Sequence, residues 1–134
     1  MTDIEIATVL DALVENDKRW SAMLPVTFMG QPLRLAVEYI DGPLENFLPL
    51  TRRVLGELED LLPLAEAEFK AYHEELDPEA LTHPVSPKVW IDEDAIIEDG
   101  PNRWAITVEC GGRVGYGTHL EFDGGELLEI WSGD

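Results

Sequence analysis

Three side chains that can ligate divalent cations recur at alternate positions near the end of the sequence. They are His119, Glu121 and Asp123. Successive side chains of a β-strand point to opposite faces, so a strand here places all three on one face. Imidazole and carboxylate groups are common metal ligands, and this row could therefore hold a divalent cation. The plainer interpretation is the polar side of a half-exposed strand, which shows the same alternation.

The single cysteine, Cys110, is the one thiol that could act as a nucleophile. It continues the alternation of Trp104, Ile106 and Val108, which places it on the apolar side of a predicted strand. A reactive thiolate needs an accessible, electropositive setting, so a buried structural thiol is the better interpretation. No serine lies in a G-x-S-x-G motif and no catalytic triad is recognisable, so the sequence favours a protein that is not an enzyme.

One glycine-rich stretch, Gly111–Gly117, is a further candidate for ligand binding. Glycine lets backbone amides approach a phosphate group closely. The stretch lacks the G-K-[ST] ending of a phosphate-binding loop, and it precedes a predicted strand rather than a helix. A hairpin loop followed by strand glycines is therefore the favoured interpretation.

The tryptophan side chains could line a ligand cleft. The four tryptophans are Trp20, Trp90, Trp104 and Trp131. Aromatic residues more often fill a core than line a cleft, and we expect the same here. Trp131 is predicted to be the most exposed, and either it or Tyr116 could form the rim of a site at His119. His73 lies beside two glutamates at the end of a predicted helix, so we expect it to be solvated.

Acidic residues outnumber basic ones by 28 to nine, which gives a formal net charge of −19. A surface of this sign repels nucleic acids and anionic membranes and attracts basic proteins and cations. The acidic residues are concentrated in the ranges 57–79 and 114–134. The charge could serve a partner, or it could serve solubility or adaptation to a salty cytoplasm; charge patterning alone does not decide between these alternatives.

The chain's length and cysteine content indicate its class and compartment. Its 134 residues suit a single globular domain spanning residues 1–134. One cysteine permits no internal disulfide, which favours a reducing compartment. The N-terminal segment lacks the basic and apolar regions of a signal peptide, and no segment is apolar for long enough to span a membrane. We therefore predict a soluble, cytoplasmic protein.

The first element allows two interpretations. Thr2 and Glu5 have the spacing of a helix capping box, which predicts a helix. The segment around Asn16-Asp17 could instead be the tip of a hairpin, preceded by a short strand that ends near Glu15. Of the two interpretations of residues 2–15, we favour the strand.

The central elements are clearer. Residues 20–40 alternate apolar and polar side chains on both sides of Gly30, which predicts a two-stranded hairpin. Residues 43–76 carry an apolar stripe at helical spacing, with the acidic side chains on the opposite side. Proline removes an amide donor, so Pro49 and Pro63 are expected to divide this region into two or three helical segments.

The alternating pattern and turn residues within 86–132 predict a meander of about four strands, with a hairpin turn at Asp123-Gly124. Helices and a sheet that each have one apolar face bury those faces against each other. The sequence therefore predicts an α+β fold: an antiparallel sheet, made of an initial hairpin and a C-terminal meander, with helices packed on one face. An exposed edge strand of such a sheet could pair two copies into a homodimer.

From Leu24 onward, the chain resembles a family of small bacterial proteins of unknown function. The resemblance rests on LPVTFMG, which opens a hairpin, on ENFLPL, which leads into the acidic helices, and on GYGTHLEFDGGELLEIW near the C-terminus. It implies no catalytic residue. Some families of similar size and appearance are thought to include immunity proteins against bacterial toxins, so the implied role is immunity-like by analogy.

Two functions follow as hypotheses. The first is a non-enzymatic binding protein, of the inhibitor or immunity type, that docks on a basic protein through complementary charge. Its candidate contact residues are Glu57, Asp60, Glu66, Glu68, Glu74, Glu75, Glu126 and Glu129. The alternative is a metal- or small-ligand-binding domain centred on His119, Glu121 and Asp123. We predict no cofactor and no nucleic-acid or membrane partner.

Overall fold

Seven strands pair in the order in which they occur along the chain, in a computed structural model that describes residues 1–76, 78–81, 84–110 and 117–133. The strands are β1 (Val14–Glu15), β2 (Arg19–Phe28), β3 (Gln31–Glu38), β4 (Pro84–Asp92), β5 (Arg103–Cys110), β6 (Gly117–Asp123) and β7 (Glu126–Gly133). The α-helices are α1 (Asp3–Asp11), α2 (Leu48–Leu76) and α3 (Glu93–Asp99), and short 3-10 helices span Leu44–Asn46 and Pro78–Leu81. The predicted α+β class is confirmed.

The sheet is mostly antiparallel, as the sequence predicts, but it contains one parallel pair. Strands β3 and β4 run parallel, whereas the other neighbouring strands run antiparallel. A parallel pair needs a long crossover connection, and α2 lies in the connection between these two strands. Strands β4 to β7 follow as the expected C-terminal meander.

The first element is a helix, so the favoured strand is wrong for residues 3–11. The Thr2 hydroxyl accepts a hydrogen bond from the Glu5 amide, and the Glu5 carboxylate accepts one from the Thr2 amide. This reciprocal capping box fixes the start of α1. The expected short strand is nevertheless present as β1, which ends at Glu15 and pairs with β2 across the predicted hairpin tip.

Residues 43–76 contain two helical segments, the 3-10 helix Leu44–Asn46 and the long helix α2, in agreement with the expected two or three. An expected break at Pro63 is wrong, because α2 is continuous through this residue. Pro49 lies in its first turn, where a missing amide donor costs little. Interior proline normally disfavours a helix by about 3 kcal/mol. Pro63 lies on the exposed side, while Leu62 and Ala65 beside it are buried against the sheet. Packing on both sides of the proline keeps the helix in one piece.

A short helix, α3, follows β4 directly and was not expected within residues 86–132. The Asp92 carboxylate caps it by accepting a hydrogen bond from the Asp94 amide at 3.3 Å. Ile96 packs against the core while Ile97 is exposed. A helix of seven residues, about two turns, with one apolar anchor has too little periodicity for sequence reasoning to detect.

The hydrophobic core lies between one face of the sheet and helices α1 and α2. Its fully buried side chains include Phe28, Leu33, Leu35, Leu55, Leu58, Phe69, Ile91, Ile106, Leu120 and Phe122. The Trp104 indole stacks on Phe122 with ring centroids 4.2 Å apart, and its Nε1 donates to the Gly124 carbonyl at 2.7 Å. Trp104 thus fills the core as expected, and Trp20 packs against it. Trp90 and Trp131 lie outside the core, so the expectation is wrong for these two.

His73 is buried at the end of α2, so the expectation that it is solvated is wrong. Its Nε2 lies 2.7 Å from the Thr118 hydroxyl on β6, and its ring packs edge-on against Phe69. Beside it, the Tyr72 hydroxyl donates to Ser132 on β7 at 3.0 Å. These polar contacts join the last turns of α2 to the end of the sheet.

The sheet is open, with β1 at one edge and β7 at the other. Strand β7 is the longer edge, so the predicted pairing of two copies through an edge strand would use β7; that pairing stays a prediction. None of the described helices combines the length and apolar content needed to cross a bilayer.

Candidate ligand site on the outer face of the sheet

The face of the sheet opposite α1 and α2, here called the outer face, carries the site. On β5, Ile106 and Val108 point into the core, so Ala105 and Thr107 point to the outer face. Both are nevertheless buried, because larger side chains on neighbouring strands lie over them. A sheet face that is buried by its own side chains can form cavities between them.

Strand register aligns five side chains across the outer face. Arg34 pairs with Lys88, Lys88 with Thr107, Thr107 with His119, and His119 with Trp131. Residues paired in this way have Cβ atoms about 5 Å apart, so their side chains are neighbours. This cross-strand row runs from a guanidinium on β3 to an indole on β7.

Three rings form the aromatic end of the row. The His119 imidazole lies flat on Trp131, with centroids 4.0 Å apart and an interplanar angle of 12°. The Trp90 ring lies 6.5 Å from the imidazole on the other side, tilted by 46°. The Trp131 Nε1 donates to Glu121 at 3.3 Å, and His119 Nε2 lies 3.4 Å from the Gly133 carbonyl oxygen. These contacts hold the imidazole between two indoles.

A cavity of about 220 Å³, here called the Trp90 cavity, opens beside these rings. Its lining includes Arg19, Lys88, Trp90, Thr107 and His119. Residues from β2, β4, β5 and β6 therefore meet around one space. Such a concave site, with ring surfaces and a few polar groups, is the usual form of a small-molecule site.

Three polar atoms at the Trp90 cavity have no hydrogen-bond partner within the described part of the chain. They are Trp90 Nε1, Thr107 Oγ1 and His119 Nδ1, and all three atoms are buried. The Thr107 side chain is the most enclosed, since only 7% of this residue is exposed. A buried polar atom without a partner costs about 1–3 kcal/mol, so folded proteins contain few of them. Their concentration at one cavity points to a group that satisfies them.

Positive charge gathers at the other end of the row. The Lys88 ammonium lies 5.8 Å from the centroid of the Trp90 ring, within cation–π range. Burial, with a smaller contribution from the nearby Arg19 guanidinium, lowers the pKa of Lys88. Arg19 forms an ion pair with Glu38. The chain has nine Lys and Arg against 28 acids, so this clustering on one face is unusual for it.

The predicted metal row keeps its common face, and its first two members contact other side chains. His119 is stacked on Trp131, and Glu121 accepts from the Trp131 indole and pairs with Arg103 at 3.8 Å. Asp123 is exposed at the end of β6. Within residues 1–76, 78–81, 84–110 and 117–133, no three His, Cys, Asp or Glu side chains converge as metal ligands would.

The predicted acidic contact residues divide into two groups. Along α2, the exposed members are Glu57, Asp60, Glu68, Glu74 and Glu75. Glu66 is half-buried and accepts a hydrogen bond from the Met29 amide at 2.7 Å, so it has a structural role. Glu126 and Glu129 are exposed on β7.

One groove brings the two acidic groups together. It has a volume of about 750 Å³ and lies between α2 and β7. The carboxylates of Glu68, Glu126 and Glu129 line it together with Leu64 and Leu128, which are 45% and 44% exposed. This helix–edge groove combines acid with exposed apolar surface, a composition that the sequence alone did not reveal.

Two other sequence candidates fall outside this description. The Cys110 side chain and residues 111–116, which include Tyr116 and most of the glycine-rich stretch, lie outside the described part of the chain. Gly117 is described, and it lines the Trp90 cavity.

Sequence reasoning found His119 and Trp131, favoured a core position for Trp90, and missed Lys88 and Thr107. The signal for Lys88 and Trp90 was present, because both alternate with the buried Val89 and Ile91 on β4. That pattern separates the two faces of a strand but does not reveal which strands are neighbours. Register across five strands was needed to bring these side chains together.

No protein-family model, no curated protein and no solved structure matches this chain. The resemblance to small bacterial proteins of unknown function therefore stays a prediction. Function has to be inferred from the geometry of the outer face and of the helix–edge groove.

Proposed function

We propose that this protein is a ligand-binding domain whose site is the Trp90 cavity, on the face that carries His119. The observation that supports it is the set of unpartnered buried atoms Trp90 Nε1, Thr107 Oγ1 and His119 Nδ1. An indole N–H donates, a hydroxyl both donates and accepts, and an imidazole nitrogen does either according to its tautomer. A small polar molecule in the cavity would satisfy all three.

Without a ligand, the unpartnered buried atoms of the Trp90 cavity lower the stability of the folded protein. An apolar residue at position 107 would avoid the penalty of an unsatisfied hydroxyl, which is about 1–3 kcal/mol. Proteins retain such unfavourable groups mainly where binding or catalysis needs them. The side chains are also held in place before a ligand arrives, because the stacked His119 and Trp131 rings cannot turn freely. A preorganised site loses less entropy on binding.

Thermal unfolding with a set of small fragments tests this proposal. The set includes organic acids, amines and neutral amides, each added separately. A ligand that binds only the folded state adds about 2.7 kcal/mol of stability at a hundred times its Kd. For a domain of this size that raises the Tm by several degrees. We expect at least one fragment to raise the Tm of the wild-type protein.

Two variants make the test specific to the cavity. Thr107→Val removes a cavity hydroxyl at constant shape and should reduce the Tm shift. Leu128→Ala alters the helix–edge groove and should leave the shift unchanged. If no fragment raises the Tm, or if every shift survives Thr107→Val and disappears in Leu128→Ala, the Trp90 cavity is not the binding site.

A second candidate function is docking on a basic protein through the helix–edge groove. The observation that favours it is the meeting of Glu68, Glu126 and Glu129 with exposed Leu64 and Leu128 around one groove. Protein interfaces combine an apolar centre with a polar rim, and opposite charge increases the rate of association. This surface is formed by α2 and β7, whereas the Arg34 end of the cross-strand row lies on β3.

Capture from a lysate of the native host, at low and at high salt, tests the second candidate. We expect one basic protein to be retained at low salt and released at high salt. It should be lost when Glu68, Glu126 and Glu129 are all changed to Lys. A control variant with Glu74→Lys and Glu75→Lys, away from the groove, should retain it. Retention that is insensitive to both salt and the groove variant would contradict this function.

A further inference from the structure

The charges around the Trp90 cavity limit what its ligand can be. Lys88 and Arg19 line the cavity, and an adjoining cavity of about 440 Å³ shares both and adds Arg34. Among the described residues that line the two cavities, Glu109 is the acidic one, and it is exposed. Glu38 adds a second carboxylate through its ion pair with Arg19. The three cations Arg19, Arg34 and Lys88 still outnumber the two carboxylates, on a protein whose net charge is −19.

Lys88 is the cation best placed to meet a ligand. It is half-buried, and it forms no ion pair within the described residues, whereas Arg19 is paired with Glu38. Burial weakens the hydration of the ammonium, and charges interact more strongly where water is partly excluded. An incoming anion would therefore gain more from Lys88 than from an exposed lysine.

The net charge of the protein disfavours large anions. The Trp90 cavity has a volume of about 220 Å³, and the adjoining cavity of about 440 Å³ shares Arg19 and Lys88 with it. A polyanion would extend beyond the positive patch into the field of the surrounding acids, which acts over about 8 Å at physiological ionic strength. The ligand must be small, with its negative charge at one end.

The remaining lining groups define the rest of the ligand. The Trp90 and His119 rings offer flat apolar surface for a ring or a short hydrocarbon body. Trp90 Nε1–H and the Thr107 hydroxyl can donate to oxygen atoms. Trp90 lies on β4 two residues after Lys88, and Thr107 is the cross-strand partner of Lys88 on β5, so both donors belong to residues next to Lys88 on the outer face.

We propose that the Trp90 cavity binds a small organic carboxylate, with its oxyanion at Lys88 and its apolar body against Trp90. This proposal rests on the proposed ligand-binding function and goes beyond it by assigning the chemical class of the ligand. It differs from the metal-site hypothesis in the sign of charge that the site selects.

Three molecules of one shape separate charge from shape. Benzoate, benzamide and benzamidine share a ring and carry a negative, neutral and positive group, respectively. Their binding to the full chain is measured by calorimetry at low ionic strength. We expect benzoate to bind at least tenfold more tightly than benzamide, and benzamidine to bind less tightly than either.

Matched lysine variants assign the effect to the cavity. Lys88→Met keeps a chain of similar length without the charge, and it should reduce the affinity for benzoate to that for benzamide. Lys70→Met changes an exposed lysine on α2 and should leave the affinity unchanged. Folding of each variant is checked by its thermal transition.

The outcomes distinguish the two proposals. If benzamide binds as tightly as benzoate and both are lost in Thr107→Val, the ligand site stands and the carboxylate class is wrong. If Lys70→Met weakens benzoate as much as Lys88→Met does, the effect is that of net charge and the class assignment is also overturned. If none of the three molecules binds while other fragments raise the Tm through Thr107, the carboxylate class is again wrong. If no fragment of any charge binds, both proposals fail.

Discussion

The His119 imidazole and the Trp131 indole are stacked, with centroids 4.0 Å apart and planes 12° from parallel. The two residues are cross-strand partners on β6 and β7, so the edge strand supplies the ring that covers the histidine. This stack turns a row of alternating polar residues into one wall of a cavity.

The stack should contribute to stability. Trp131 is 37% exposed, so its contribution comes mainly from the ring contact with His119. Such pairs contribute about 0.5–1.5 kcal/mol beyond burial of surface. We expect Trp131→Ala to lower the free energy of unfolding by at least this much in urea titrations. Trp131→Phe keeps an aromatic ring and should therefore lose less stability than Trp131→Ala. Equal losses of stability in the two variants would contradict a stacking contribution.

Two buried threonines on the sheet should respond oppositely to the same substitution. The Thr118 hydroxyl lies 2.7 Å from His73 Nε2, whereas the Thr107 hydroxyl has no partner among the described residues. Removing a buried partner costs about 1–3 kcal/mol, while removing an unsatisfied hydroxyl removes a penalty. We expect Thr118→Val to destabilise the protein by about that amount.

Thr107→Val should leave the stability unchanged or increase it. Chemical denaturation of both variants, compared with the wild type, checks the pair. A loss of more than about 1 kcal/mol in Thr107→Val would mean that its hydroxyl is satisfied in the folded protein, and it would remove the main support for the ligand site.

Glu93 should make the stability depend on pH. Its carboxylate accepts hydrogen bonds from the amides of Ile40, Asp41 and Gly42, joining the start of α3 to the loop after β3. These bonds, that from Ile40 foremost, lower the pKa of Glu93 below its usual 4.5. The folded state therefore favours the charged carboxylate.

The lowered pKa of Glu93 determines how the stability of the protein changes with pH. A carboxyl whose pKa is lower in the folded state stabilises the protein fully above pH 4.5 and loses this contribution as the pH falls through the folded pKa. We expect Glu93→Gln to lower the Tm at neutral pH, and the difference from the wild type to shrink in acid. A difference that is constant with pH would contradict the role of the charge.

Pro63 offers a test of the continuity of α2. Proline is disfavoured by about 3 kcal/mol relative to alanine inside a helix. Its side chain is exposed, so Pro63→Ala removes little packing. We expect the variant to be more stable by roughly 1–3 kcal/mol, measured by urea titration. Unchanged or reduced stability would mean that α2 is adapted to the proline.

The sequence predicted the elements of the fold correctly wherever a single local pattern had no competing signal. Alternation identified β2, β3 and the last four strands, and the apolar stripe identified α2. Prediction was wrong where two local signals competed, as at α1, where the capping box of Thr2 and Glu5 prevailed over a strand pattern. It was also wrong at Pro63, where burial of Leu62 and Ala65 against the sheet outweighed a local preference.

The site could be predicted only in part. His119 and Trp131 were identified because they stand out by type, whereas Thr107 has an unremarkable side chain in an unremarkable strand. What distinguishes Thr107 is a buried hydroxyl without a partner among the described residues, and that depends on neighbours in β4 and β6. Sequence pattern carries no information on such long-range satisfaction of polar groups.

The indole N–H signals of the four tryptophans, followed in a ¹⁵N-labelled protein during titration with the fragment set, test the central claim most directly. Trp90 Nε1 has no partner among the described residues, whereas Trp104 Nε1 donates to Gly124 inside the fold. A ligand in the Trp90 cavity should shift the Trp90 signal, identified with Trp90→Phe, and leave that of Trp104 in place. If no fragment moves the Trp90 signal, or if Trp104 always moves with it, the outer face of the sheet is not the ligand site.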